Sequence, residues 1–169
     1  MKPMMLTLLL ACWPALAAAA LDGPLKPGAK VTFLGLTFID SSAEGSYNGP
    51  RADETARIPL LETEIRTRFA AEGFDLISTA PEAQRLEAIV NPANCYGCDV
   101  RMGARLGADY VLVGEVQKVS NLILSMNLVM RATDTGQMAR GLSVDIRSNT
   151  DDSWLRGMRY ILNNHFFKH

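Results

Sequence analysis

Histidine and cysteine are scarce in this chain of 169 residues, which has two of the first and three of the second. His165 and His169 both lie at the C-terminus, where a frayed helix end is expected, so a Ser/His/Asp triad would have to recruit a terminal imidazole. No G-x-S-x-G occurs, and Gly35, Gly103, Gly107 and Gly114 do not form a phosphate-binding loop. An excess of one charge is also missing, with 17 Lys+Arg against 18 Asp+Glu. That balance removes the electrostatic reason to expect nucleic acid or an anionic membrane surface as main partner. Disorder is excluded as well, because a chain 48% hydrophobic and 21% charged can bury enough apolar surface to offset its ordering entropy. The length suits one domain with a real core.

What is present begins with an export signal. Lys2 supplies a positive start, Met4 to Ala11 is apolar apart from Thr7, and Ala15-Leu16-Ala17-Ala18-Ala19-Ala20 offers small residues for a signal peptidase, with cleavage after Ala17 or Ala20. Pro14, then Asp22, Gly23 and Pro24, interrupt the segment before it reaches the roughly 20 residues of a membrane span. Residues 1–20 are therefore expected to be a signal peptide and the protein periplasmic. Lys2 is the only charge that would be lost. A second reading concerns Leu9-Leu10-Ala11-Cys12, which resembles a lipobox and would make Cys12 a lipidated anchor and the membrane a partner.

Residues 21–29 read as an extended entry segment and residues 30–169 as a single α/β domain. The apolar run from Val31 to Asp40 suits a strand covered on both faces. Ser41 to Pro50 reads as a mobile polar loop. Ile58, Leu61, Ile65 and Phe69 recur at helical spacing between Asp53 and Glu72, with Pro59 in the first turn or at a kink. Phe74 to Ile77 is a short strand. Ser78, Thr79 and Pro81 open a helix with Ala83, Leu86 and Val90 on its buried side. Asp99 to Leu106 is a further helix, and Tyr110 to Val119, Leu122 to Arg131 and Leu142 to Arg147 are strands, the last two joined by a turn at Asp134-Thr135-Gly136. Asn149 to Asp152 caps a last helix with Trp154, Leu155, Met158, Ile161 and Leu162 inward. The predicted order is βαβααβββα, a mixed sheet of about five strands with helices packed against it. The expected core is Phe33, Leu36, Ile65, Phe69, Val111, Val113, Leu124, Leu128, Val144, Trp154, Ile161 and Leu162.

Cys95 and Cys98 would be the only cysteines of the exported chain. In an oxidising compartment they read as a structural disulfide. A redox-exchanging pair is a second reading, because Cys98 stands at a helix start whose amides stabilise thiolate. Metal binding is a third, although zinc needs further ligands. Covalent haem is excluded, since Asp99 follows Cys98 where His is required. Asp145, Asn149, Asp151 and Asp152 lack the glycine turn and terminal Glu of a calcium loop, and capping accounts for Thr150 to Asp152. No cofactor and no metal is expected. Polar faces are expected at Ser125, Asn127, Arg131, Ser143, Asp145 and Arg147 and along Arg156, Arg159 and Asn163. The loop with Tyr47, Asn48 and Arg51 is the candidate binding surface.

Leu106-Gly107-Ala108-Asp109-Tyr110, entering Val111-Leu112-Val113-Gly114, resembles the N-terminal domain of TolB and the related CsgG and LpoB-like envelope domains. Thr133-Asp134-Thr135-Gly136 resembles their turn between later strands. A wider resemblance joins Cys95-Tyr96-Gly97-Cys98, the stretch Gln117 to Leu124, and Ser143 to Arg147 with Trp154, to an uncharacterised family of exported bacterial proteins. That resemblance implies a setting beside quinoprotein (PQQ-dependent) alcohol dehydrogenase systems and assigns no residue a role. The expected function is a non-enzymatic periplasmic accessory or binding protein with an envelope protein as partner. The alternative is a thiol–disulfide redox or redox-sensing protein using Cys95 and Cys98.

Overall fold

The computed structural model describes residues 25–26 and 28–168. The signal peptide, its cleavage sites and Cys12 lie outside the described residues. Five strands form one sheet: β1 (Lys30–Asp40), β2 (Asp75–Ile77), β3 (Tyr110–Ser120), β4 (Ile123–Ala132) and β5 (Met138–Arg147). Their order across the sheet is β2-β1-β3-β4-β5. β1 runs parallel to β2 and β3, and β3, β4 and β5 are antiparallel neighbours. The helices are α1 (Ala43–Asn48), α2 (Ala52–Ala71), α3 (Ala83–Glu87), α4 (Cys98–Arg105) and α5 (Asp151–Ile161). This is the expected mixed α/β domain with one helix more, α1, inside the stretch read as a loop.

α1 forms because Ser42 accepts from the Gly45 amide and is itself fixed by Asp40. The signal was a lone cap without an apolar stripe, since no α1 residue is buried. α2 begins at Ala52, so Pro59 lies two turns inside it rather than in its first turn. α3 stops at Glu87, and Val90, expected on the buried side, is 93% exposed. α5 opens with a reciprocal cap between Thr150 and Ser153, which satisfies two free amides at once.

α2 and α5 cover one face of the sheet. Leu61, Ile65 and Phe69 pack with Trp154, Met158 and Ile161 over Phe33, Leu112, Leu124, Met126 and Leu128. Every expected core residue is buried except Val144, which is half-buried. The chain end is packed rather than frayed: after a turn of π-helix at Leu162–Phe166, Phe166 and Phe167 join Phe69 and Phe74 in one aromatic cluster. The other face is covered only in part, where Met102 of α4, with Leu86 and Ile89, packs on Leu34, Val111 and Val113. Farther along β3, β4 and β5 it stays open. In β1 the register shifts between Phe33 and Leu36, and Gly35 takes φ +100° there, a conformation that glycine adopts without steric penalty. Glu62 of α2 fills the gap by accepting from the Leu36 amide at 2.8 Å.

Candidate functional site

β1 has β2 on one side and β3 on the other, reached through α2 on one face and α4 on the opposite face. The carboxyl ends of β1 and β3 therefore form a topological switch point, where open α/β sheets usually bind ligands. Asp40 and Lys118 face each other there in register. Lys118 has no exposed surface, and its ammonium lies 2.7 Å from Glu54 Oε1, 3.3 Å from Asp40 and 3.5 Å from Glu44. Glu54, from the first turn of α2, is likewise 0% exposed. Arg51 reaches Glu54, Glu44 and Asp53, and Asn121 donates to Glu44. Asn149 donates to Glu54 and accepts from Arg57 and from the Trp154 indole. Glu54 Oε2 stays without a hydrogen-bond partner, one of two such buried side-chain oxygens among the described residues, with Thr32 Oγ1.

Burial alone would lower the Lys118 pKa, but its hydrogen bonds to Glu54 and Asp40 outweigh that and hold it above the ordinary lysine value. Burial would likewise raise Asp40, yet hydrogen bonds from Ser42 and Lys118 keep it below its usual range. The Asn121 hydrogen bond, with Lys118 and Arg51, lowers Glu44. Hydrogen bonds from Arg51 and then Arg57 bring Asp53 down to about 2. These groups stay charged around neutral pH. They can tie elements together and accept hydrogen bonds, whereas a general acid or base needs a pKa near the working pH.

The residues singled out in the sequence fall at opposite ends of β3. Tyr47 is 88% exposed and Asn48 is exposed on α1, tied to the Lys118 end through Glu44. Arg51 beside them is engaged with Asp53, Glu44 and Glu54. Cys95 and Cys98 form a disulfide, S–S 2.02 Å, at the mouth of α4. Cys95 Sγ accepts from the Asp99 amide at 3.2 Å, and Asp99 pairs with Arg131 opposite the start of β3. Of the expected polar faces, Arg131 is thus paired with Asp99, Arg159 with Glu64 and Arg156 with Asp152, whereas Asp145 and Arg147 have no ion pair among the described residues. No group of three or more His, Cys, Asp or Glu among the described residues is placed to hold a metal ion.

Sequence reasoning missed the Lys118 cluster, though its signal was present. Lys118 shares the parity of Leu112 and Val116 on β3, and Glu54 stands two helical turns before Leu61 and three before Ile65. Both therefore occupy positions that point to the core.

The sheet, with one face partly open and its switch point filled by the protein's own ions, is that of a small mixed α/β domain, and no described helix is long and apolar enough to cross a membrane. The chain belongs to the family described as "Protein of unknown function (DUF2380)", whose model matches residues 29–166. No curated protein matches it. Among solved structures it is similar to the LpoB C-terminal domain from Salmonella enterica at 16% identity, with 75% of this chain and 87% of that chain covered and a TM-score of 0.50. Lipoprotein GNA1162 from Neisseria meningitidis is similar at 15% identity, with 80% and 96% covered and a TM-score of 0.50. The LpoB C-terminal domain from Escherichia coli gives 15%, 75%, 87% and 0.50. At such identities the likeness is one of fold.

Two outcomes follow for the ion cluster. Lys118→Met leaves buried carboxylates without their cation and is expected to cost about 3 kcal/mol in urea unfolding; adding Glu54→Gln should recover part of that loss, and equal stability of Lys118→Met and wild type would remove the cluster's structural role. Depressed carboxylates stabilise the fold fully above their unfolded values near 4, and that stabilisation drains away as pH falls through their folded values. Stability should therefore drop between about pH 4 and pH 2, and Asp53→Asn should flatten the drop in a pH series of thermal melts.

Proposed function

We propose that this chain is an exported, non-enzymatic accessory protein that binds another protein of the bacterial envelope. The observation that carries the reading is the half-covered sheet: a rigid β3-β4-β5 surface on which Ser125, Asn127, Ser143, Asp145 and Arg147 stand clear of the helices, on a fold whose other face is covered by α2 and α5. Rigid scaffolds with an uncovered polar surface serve recognition. Export rests on the leader, with release after Ala17 or Ala20, or anchoring through Cys12; the similar Neisseria protein is described as a lipoprotein. The exposed end of α1 with Tyr47 and Asn48, and Arg51 just after it, extends the contact surface, with Tyr47 as its aromatic anchor. The finer part of the proposal, from the sequence resemblance, is that the partner belongs to a quinoprotein dehydrogenase system. The tagged protein should retain an envelope protein from periplasmic extract, with the quinoprotein dehydrogenase as the first candidate to probe by antibody. Failure to retain any envelope protein over repeated captures would refute the reading.

The rival reading, redox exchange, has one favourable observation: the Asp99 amide at the start of α4 points at Cys95 Sγ, which would stabilise a thiolate. The accessory reading needs the pair only as a brace, and so short a loop supplies at most about 2 kcal/mol. Cys95→Ser with Cys98→Ser should melt slightly lower yet keep partner binding, and the pair should titrate below about −300 mV in glutathione buffers. Loss of function at unchanged stability, with a higher potential, would favour redox exchange instead.

A further inference from the structure

β5 is the last strand of the sheet, with β4 on one side and no strand paired with its other edge among the described residues. Ser148 donates its amide to Leu122 at 3.4 Å, and the register runs without a shift from Ile123↔Arg147 to Met130↔Arg140. Antiparallel pairs alternate between bonded and non-bonded. Ile146 and Val144 therefore bond back to β4, and the amides and carbonyls of Ser143, Asp145 and Arg147 point out along the free edge. Above that edge, a groove of about 570 Å³ runs between β5 and α5, walled by Val144, Ile146, Arg156, Gly157 and Tyr160. Gly157 brings the helix down onto the strand, since a Cβ there would stand 2.6 Å from Ile146 Cγ2. Val144 is only half-buried and Tyr160 is 56% exposed, so apolar surface faces the groove.

An open edge of this length is a template for another strand. Asp145 and Arg147, two residues apart on the open face, carry opposite charges and have no ion pair among the described residues, whereas Arg156 in the groove beside them is paired with Asp152. We propose that the β5 edge takes an extended segment of a partner protein as a sixth, antiparallel strand. Its sequence reads acidic, apolar, basic: the acidic residue lies opposite Arg147, the basic residue opposite Asp145, and the apolar residue between them enters the groove against Ile146 and Tyr160. Main-chain bonds give such a complex its affinity and alternate side chains give it selectivity. A second copy carries the same order in its own Asp145-Ile146-Arg147, yet it is the poorer occupant, because two-fold pairing of β5 about Ile146 would bring both α5 helices to the same side of one seam. The inference rests on the accessory-protein reading and names how the partner is held.

The probe is a fluorescein-labelled peptide, Thr-Val-Glu-Val-Lys-Val-Thr, titrated against the purified protein by anisotropy, with amide exchange read at Ser143, Asp145 and Arg147. Saturable binding and slowed exchange at these amides are expected. Exchanging Glu and Lys in the peptide should weaken binding about tenfold, since two cross-strand pairs change sign. Asp145→Lys with Arg147→Glu should reverse that preference. Ser143→Pro removes an outward amide and no bond to β4, and should also weaken binding about tenfold. Equal affinity for both charge orders, no binding up to about 1 mM, or a dimer in sedimentation that Ser143→Pro abolishes would each overturn the inference. An envelope protein captured equally well by Ser143→Pro and by the charge-reversed variant would overturn it too while leaving the accessory reading standing.

Discussion

Lys118 is the point on which the arrangement of this domain turns. Its ammonium has no exposed surface, and a charge in that position is tolerated only if carboxylates meet it with good geometry. Three do so from three directions: Asp40 from the end of β1, Glu44 from α1 and Glu54 from the first turn of α2. Asn149 passes the constraint on, linking Glu54 to the Trp154 indole and so to the start of α5. α1 depends on the cluster most, because it buries no residue of its own. Charge, rather than apolar packing, sets its place.

The cluster also decides where a partner can be met. In open α/β sheets the crevice beyond the strand ends at the switch point is the customary ligand site. Here Lys118 and its carboxylates fill it and α1 is tied across it, so the usual position is spent on stability. The sheet keeps its freedom elsewhere. α2 and α5 cover one face except for the groove beside β5, while α4 and the segments before it close only the beginning of the other. Surface for recognition is thus displaced from the strand ends to the flat of β3, β4 and β5 and to the β5 edge.

The fold was legible where periodicity was strong. The alternation from Tyr110 to Arg147 gave β3 and β4 nearly to the residue, whereas β5 begins at Met138, four residues before the expected Leu142; the stripe of Ile65, Phe69, Trp154 and Ile161 gave the covered face. It failed where polar contacts do the work of apolar ones. α1 has a cap at Ser42 and no stripe, so its six residues look like loop. Val90 follows a helix whose short length no pattern announces. Phe166 and Phe167 stand beside terminal His and Lys residues, and only the distant Phe69 and Phe74 explain why they are inside. Lys118 and Glu54 were overlooked because charge was read as exposure, although their parity with Val116 and Leu61 placed both in the core.

The charges on β5 show how one feature can serve two needs. An uncovered edge strand invites indiscriminate pairing, and charged side chains are the common defence. Uniform charge would defend best, since any strand carrying the same sign would be repelled. Asp145 and Arg147 instead alternate in sign, which repels most registers but leaves one order of charges favourable. A one-residue slip would carry every side chain of an incoming strand to the opposite face and set polar groups against Ile146 and Tyr160. Charge order and pleat together therefore favour a single register, and the same two residues that make the edge polar make it selective.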